Sequence, residues 1–396
     1  MAKLRQSTDG PGEESSPGMP PDRSRVADDA IDSDGVPILG PVSGWLDLFD
    51  PAGPVDPRAT RWLQAVLRFS RADSSPVFTP RGRSVARQRA LATWVDRLGD
   101  PSLAAVVARW FPSRANAQPP GSPSPLPSYS CPGRPLAVLR PDWSPGGDLV
   151  AIDHRRPGDE TLLEVASKSR TWLGPSWTSG ESTGRITRPE PAFWTSSAFA
   201  DCCEWTYKVG PKRVRRSVVL LRGRSMALVG QQEDGGDSSE VRFDLGEGIE
   251  AVPVEGSRAL LLSGGRRQPT ARLIPLGLPS HDRPTDLGSI ALEGRRVVIR
   301  QAGEGRRRWV SALVCWGKPP TTWRRSTVAY RSKACRDDVA IAVRVAWGVR
   351  DEGLVIYRSL GPPALRSFLG HQTGARFLVG AFTRAGEVRP ILKVDP

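Results

Sequence analysis

In the first third of the chain, apolar positions recur at helical spacing. Trp62, Leu63, Val66, Leu67 and Phe69, following Pro57, predict one amphipathic helix. Val85, Leu91, Trp94, Val95 and Leu98 predict a second, with Ser84 placed to cap it and Gly99 to stop it. Asp100-Pro101 opens a third through Leu103, Val106, Val107 and Trp110, before Pro112. Three short helices bury little apolar surface alone, so they are expected to pack against the rest of the chain.

From Leu136 onward the period changes. Short β-branched and apolar runs alternate with Gly, Pro and Asp turns, which predicts strands near 136–140, 148–153, 160–166, 204–209, 214–222, 225–230, 257–263, 270–275, 295–301, 307–315, 325–330, 338–347, 353–358, 375–382 and 388–394. Gly223-Arg224 reads as a tight hairpin turn, and Gly303-Glu304-Gly305 as another, joining the runs on either side of it. No fixed repeat is present, which argues against a propeller. The pattern predicts a mainly β chain: a large antiparallel β-sandwich of stacked sheets, preceded by a short three-helix segment and a disordered N-terminal tail. The expected divisions are an acidic tail (1–40), a helical region (41–111), a Pro-rich linker (112–134) and the sandwich (135–396).

Charge adds a class of partner. The 396 residues carry 56 Lys and Arg against 42 Asp and Glu, a formal charge of +14. Residues 1–40 are acidic, so the remainder is more basic still and attracts polyanions: acidic polysaccharide, nucleic acid or anionic lipid. Arg far outnumbers Lys, and Gly and Pro are abundant, so part of this charge reflects a GC-rich genome. No run approaches the roughly 20 apolar residues of a membrane helix. The first residues lack the apolar core of a secretory signal, which points to the cytoplasm. Five cysteines with no Cys-x-x-Cys pair argue against a disulfide framework or a zinc ribbon, and no metal or other cofactor is expected.

Common catalytic motifs are missing. The chain has no Gly-x-Ser-x-Gly elbow and no phosphate loop, and Gly246-Glu247-Gly248 lacks the third glycine of a dinucleotide site. Of three histidines, His154, beside Asp153 at a strand end, is the candidate general acid or base, with Tyr207 as its partner; a solvated turn histidine is the plainer alternative. Tryptophans and arginines interleave between 140 and 207. Trp rings stack on sugar faces and Arg forks bind carboxylate or sulfate, so Arg140, Trp143, Arg170, Trp172, Trp177 and Arg185 are the candidate ligand-binding residues. The competing reading is that these Trp residues fill sheet cores. Thr171–Trp177, with two Trp around Gly174-Pro175, reads as a loop, and Arg170, Trp172 and Trp177 are expected to line one exposed groove. Arg pairs and triplets, among them Arg213, Arg215, Arg216, Arg295, Arg296 and Arg306 to Arg308, read as solvated strand edges or as a polyanion groove.

The run Pro135-Leu136-Ala137-Val138-Leu139-Arg140, then Asp142-Trp143-Ser144-Pro145, then Asp148-Leu149-Val150-Ala151-Ile152-Asp153, resembles the start of the β-rich half of heparinase II/III-type polysaccharide lyases. Val214–Leu221, Met226–Val229 and Arg307–Cys315 with Trp316 resemble successive long strands of that sandwich, and the order, helices before sheets, is the same. The resemblance covers about 135–316 and implies a sandwich that engages acidic polysaccharide. Those lyases draw catalytic Tyr, His and Asn from a large α/α toroid, for which the helical region 41–111 is too short. Where the family carries a His-rich Gly/His/Asp signature, this chain has Asp153 to Asp159 with a single histidine. β-Elimination of a uronate needs a base, an acid for the leaving oxygen and neutralisation of the carboxylate. His154 and a nearby Arg are the only matching groups. The resemblance therefore implies a truncated, non-catalytic relative. The alternatives are a residual lyase using His154, and an interaction protein holding nucleic acid or a protein partner on its basic surface.

Overall fold

The structure is a computed structural model that describes residues 59–112, 124–131, 134–154, 160–180, 184–235, 238–265, 268–302, 305–348, 353–383 and 386–396. The expected tail at 1–40 lies outside them.

Three helices form where the spacing predicts them: α1 (Ala59–Arg68), α2 (Val85–Leu98) and α3 (Pro101–Trp110). Ser84 Oγ accepts from Arg87 N, Gly99 ends α2 in the left-handed conformation at φ 61°, and Asp100 Oδ1 accepts from Ser102 N and Leu103 N. Each contact satisfies a backbone group that a helix end leaves open.

The rest is antiparallel sheet in stacked layers. The first sheet runs in the order Tyr129–Ser130, Leu136–Leu139, Leu149–Asp153, Thr161–Ser167, Arg170–Ser179, Ser238–Leu245, Arg296–Ala302, Gly288–Glu293. The second runs Glu250–Pro253, Leu260–Ser263, Thr270–Pro275, Arg307–Cys315, Met226–Asp234, Lys212–Leu221, Ala200–Val209, Glu190–Ser196. A third, five-stranded sheet (Thr322–Ser326, Ala340–Ala346, Gly353–Ser359, Phe377–Phe382, Val388–Val394) packs on the outer face of the second. A small fourth sheet, built on Ala329–Tyr330, Lys333–Ala334, Arg366–Phe368 and His371–Thr373, covers the third.

Stacking explains why many strands are apolar on both faces. In Leu149–Asp153, Val150 and Ile152 face the second sheet while Leu149 and Ala151 face the segment after α1. In Ala200–Val209, Cys203 and Trp205 face the first sheet while Cys202 faces the third. The adjacent thiols thus lie in separate cores, and burial pushes both up in pKa, with Glu204 adding to the effect at Cys202.

Two expectations are corrected. Thr171–Trp177 is not a loop but the middle of the long strand Arg170–Ser179. A register shift against Val165/Ala166 leaves Trp172 as an extra residue, so Trp172, Leu173 and Trp177 all enter the same core. Gly174, at φ 140°, lies so close to the neighbouring strand that a Cβ there would sit 2.6 Å from Leu163 O. The runs Val297–Arg300 and Trp309–Val314, expected to pair as a hairpin, do not pair with each other. Arg296–Ala302 pairs within the first sheet and Arg307–Cys315 within the second, so consecutive strands belong to different layers. Glycines mark a change of direction without naming the partner strand. The Gly223 turn does join paired strands, Lys212–Leu221 and Met226–Asp234.

Candidate functional site

Glu164 is the one charged residue in the buried strand Thr161–Ser167. Alternation sends Leu163 and Val165 into the inter-sheet core and turns Glu164 the other way, toward the turn that follows α1. There its carboxylate takes a fork from Arg71: Nε donates to Oε1 at 2.6 Å and Nη2 to Oε2 at 2.5 Å. Phe78 N donates to Oε2 at 2.8 Å. The remaining Arg71 donors reach Ser75 Oγ, Pro76 O and Thr79 O. Both partners are almost fully buried, at 4% and 1% exposure. This pair clamps the helical segment to the first sheet and forms the floor of a cleft.

The cleft has a volume of about 840 Å³. Its walls carry Arg81, Arg170, Arg295 and Arg296, with Asp244, Glu247 and Glu293. Several charges are already matched: Arg296 with Asp244 at 2.8 Å, and Glu293 with Arg300 at 3.0 Å. Arg295 donates to the carbonyls of Leu245 and Gly246, Arg170 to Gln268 Oε1 at 2.7 Å, and Arg81 to Thr171 Oγ1 at 3.2 Å. Among the described residues, Arg81, Arg170 and Arg295 thus face the space with no carboxylate within hydrogen-bonding distance, Asp73 standing 4.0 Å from Arg81. Burial, then the neighbouring Arg71, lowers the Arg81 pKa against the pull of Glu164 and Asp73. An arriving anion relieves that crowding.

The expected site residues are divided among different places. Arg170 lines the cleft. Trp172 and Trp177 are fully buried, so the expected exposed groove of Arg170, Trp172 and Trp177 does not exist, and no sugar can stack on either ring. Arg140 and Trp143 are buried beneath the helices. The Arg140 guanidinium lies 5.2 Å from the Trp110 ring and 5.1 Å from the Trp143 ring, and donates to Ser70 O at 2.6 Å. Burial lowers its pKa to about 10. These two residues hold the helices to the sheet. Arg185 is exposed and is not among the cleft residues.

His154 and Tyr207 do come together, but in the interior. Their rings are 5.7 Å apart, with Trp205 on another side of the imidazole. His154 Nδ1 is 2.5 Å from Thr161 Oγ1, which accepts from Arg216 Nη1. Nε2 on the other side of the ring is buried and has no hydrogen-bond partner among the described residues. Arg216, read from sequence as part of a strand-edge cluster, is fully buried and lies over the Trp177 and Tyr207 rings. Burial first, and Arg216 second, hold the His154 pKa well below 6.5. The folded state therefore binds fewer protons than the unfolded chain just below pH 6.5, and stability falls as the pH drops through that range. The expected slope is about 1.4 kcal/mol per pH unit below about 6.5. Urea titrations of wild type and His154→Gln between pH 7 and 5 check this: the wild type should lose stability relative to the variant, and parallel curves would refute it.

Sequence reading missed Arg71, Arg81 and Glu164. The signal for Glu164 was present, as a lone carboxylate inside an apolar strand. Its partner, 93 residues away, was not legible. Among the described residues no group of His, Cys, Asp or Glu is arranged to hold a metal ion, and no helix is long and apolar enough to cross a membrane.

Heparan sulfate lyase HepC from Pedobacter heparinus superposes on 89% of this chain with a TM-score of 0.55 and 12% identity. A heparinase III gene product superposes on 91% of the chain with a TM-score of 0.53 and 10% identity. This chain shares the fold of the part of each of these two proteins on which it superposes. It spans about 61% of the length of HepC and 60% of the heparinase III product. No family model matches the sequence, and no curated protein does. At 89% of the chain, the superposition reaches well beyond the 135–316 strands at which the resemblance was noted.

Proposed function

We propose that this protein binds an acidic polysaccharide in the cleft between its helical segment and the first sheet, without cleaving it. The observation that carries the reading is the set of Arg81, Arg170 and Arg295 facing a cleft of about 840 Å³ on a fold shared with part of heparan sulfate lyase HepC. Guanidinium forks suit the carboxylates and sulfates of a uronate polymer. The cleft-lining residues include no histidine and no tyrosine, and His154 is sealed between the sheets, away from any saccharide in the cleft. Five cysteines held as thiols suit a reducing compartment, so a cytoplasmic site of action belongs to the same reading.

Calorimetry with heparin, a polyuronate, a neutral glucan and duplex DNA tests it at low and moderate salt. Binding of the uronate-containing polymers should survive moderate salt, and Arg81→Glu with Arg170→Glu should weaken it by about tenfold or more, since each charged hydrogen bond is worth roughly 1.5–3 kcal/mol. Equal binding of DNA and heparin that vanishes with salt would replace the reading by a nonspecific charged surface holding a macromolecular partner. Release of unsaturated sugar on incubation would overturn its non-catalytic part.

A further inference from the structure

A second basic pocket lies where one end of the second sheet meets the third. We propose that it binds a tetrahedral oxyanion, a sulfate or phosphate group, through Arg213, Arg215, Arg307 and Arg376. The pocket has a volume of about 350 Å³ and shares no lining residue with the polysaccharide cleft. It therefore stands or falls independently of the proposed function.

Strand register builds the site. Asp234 is the cross-strand partner of Arg213 on one side and of Arg307 on the other, so the three lie in a row across adjacent strands. Two residues further in on the same face, Arg215 pairs with Gln232. Arg376 comes from the third sheet's side, anchored through its carbonyl to Ser359 N at 2.9 Å.

The charges do not balance. Glu204 alone answers three guanidiniums: Arg358 at 2.6 Å, Arg376 at 2.9 Å and Arg215 at 3.3 Å. Asp234 stands 3.7 Å from Arg307, beyond hydrogen-bonding distance. Among the residues lining the pocket, Asp234 is the one carboxylate side chain against the guanidiniums of Arg213, Arg215, Arg307 and Arg376, with Pro396 also on the wall; Glu204 and Arg358 lie buried behind them. The Arg215 pKa shows the strain: burial, with Arg358, Arg376 and Arg213 adding to it, lowers it to about 10 against the pull of Glu204. A dianion with four acceptor oxygens supplies both the missing charge and the missing acceptors, and planar guanidinium forks match its geometry.

The test is calorimetry and thermal shift with sodium phosphate and sodium sulfate, against sodium chloride at matched ionic strength. Phosphate and sulfate should raise the melting temperature of the wild type where chloride does not. Arg213→Gln with Arg307→Gln, both at solvent-facing positions, should weaken phosphate binding at least tenfold. Asp234→Asn, which removes the competing carboxylate, should tighten it several-fold. Arg89→Gln, on the exposed face of α2 and in neither pocket, should leave it unchanged. Equal shifts with chloride, or an unchanged phosphate affinity in the Arg213/Arg307 variant, would overturn the site. A sulfated uronate disaccharide added as a further probe distinguishes the source of the anion. Competition with phosphate supports a sugar-borne sulfate, and its absence alongside phosphate binding supports a small free oxyanion.

Discussion

Replacing Glu204 by Gln is expected to cost about 3–5 kcal/mol of folding stability, the range for removing one partner of a buried ion pair. The side chain keeps its volume, so the loss is electrostatic. Arg358 is 1% exposed and Glu204 3%, both held between the second and third sheets. Arg215 and Arg376 converge on the same carboxylate from positions 15% and 20% exposed. Without the carboxylate, three guanidiniums share a layer in which the nearest other acceptor to Arg358 is Gln232 Oε1, at 3.1 Å. Urea unfolding checks the magnitude. A companion variant, Glu204→Gln with Arg358→Met, should recover much of the loss, because burying an apolar side chain there avoids the uncompensated charge. A loss below about 1 kcal/mol in the single variant would mean that the arginines find other acceptors. The same substitution makes the oxyanion pocket more positive, so phosphate should stabilise Glu204→Gln more than it stabilises the wild type.

Glu164→Gln is expected to destabilise by a similar 3–5 kcal/mol, but locally. Its carboxylate accepts two Arg71 donors and the Phe78 amide. An amide in its place presents N–H groups to the buried guanidinium and leaves Arg71 without a counter-charge at 4% exposure. Because this pair joins the helical segment to the first sheet, the weakened unit is α1 and the turn after it. Hydrogen exchange of the amides near Trp62 to Val77 should accelerate well beyond that of the strands Lys212–Leu221 and Met226–Asp234. Uniform acceleration everywhere would instead mean that the helices and sheets unfold as one unit. Under the proposed function, affinity for an acidic polysaccharide should fall as well, since the cleft loses its floor.

Much of the local structure could be read directly from residue order. Ser84, Gly99 and Asp100-Pro101 set the helix ends, because capping depends on groups within three or four residues of one another. Strands such as Leu149–Asp153 and Arg307–Cys315 stand out because stacked layers demand apolar side chains on both faces. Strands interrupted by polar or bulged positions were passed over: Arg170–Ser179, Glu190–Ser196 and Ser238–Leu245 lack an unbroken apolar run. The clustering of tryptophan and arginine was legible too, but its meaning was not. Trp172 and Trp177 stand five apart, which in a regular strand places them on opposite faces. Only the register shift against Val165/Ala166 turns both inward.

Residue order alone established the class of this protein: capped helices followed by antiparallel layers, a basic body suited to polyanions, and a resemblance to the heparinase sandwich that the fold bears out. Which arginines are available emerged only once the layers were assembled. Arg140, Arg216 and Arg358 look no different in the chain from Arg81, Arg170 and Arg213, yet the first three are buried and the others face the two basic pockets. The reason is physical: a guanidinium's role depends on which carboxylates, carbonyls and rings surround it. In this fold those partners come from strands 93 or 154 residues away, as Arg71–Glu164 and Glu204–Arg358 show.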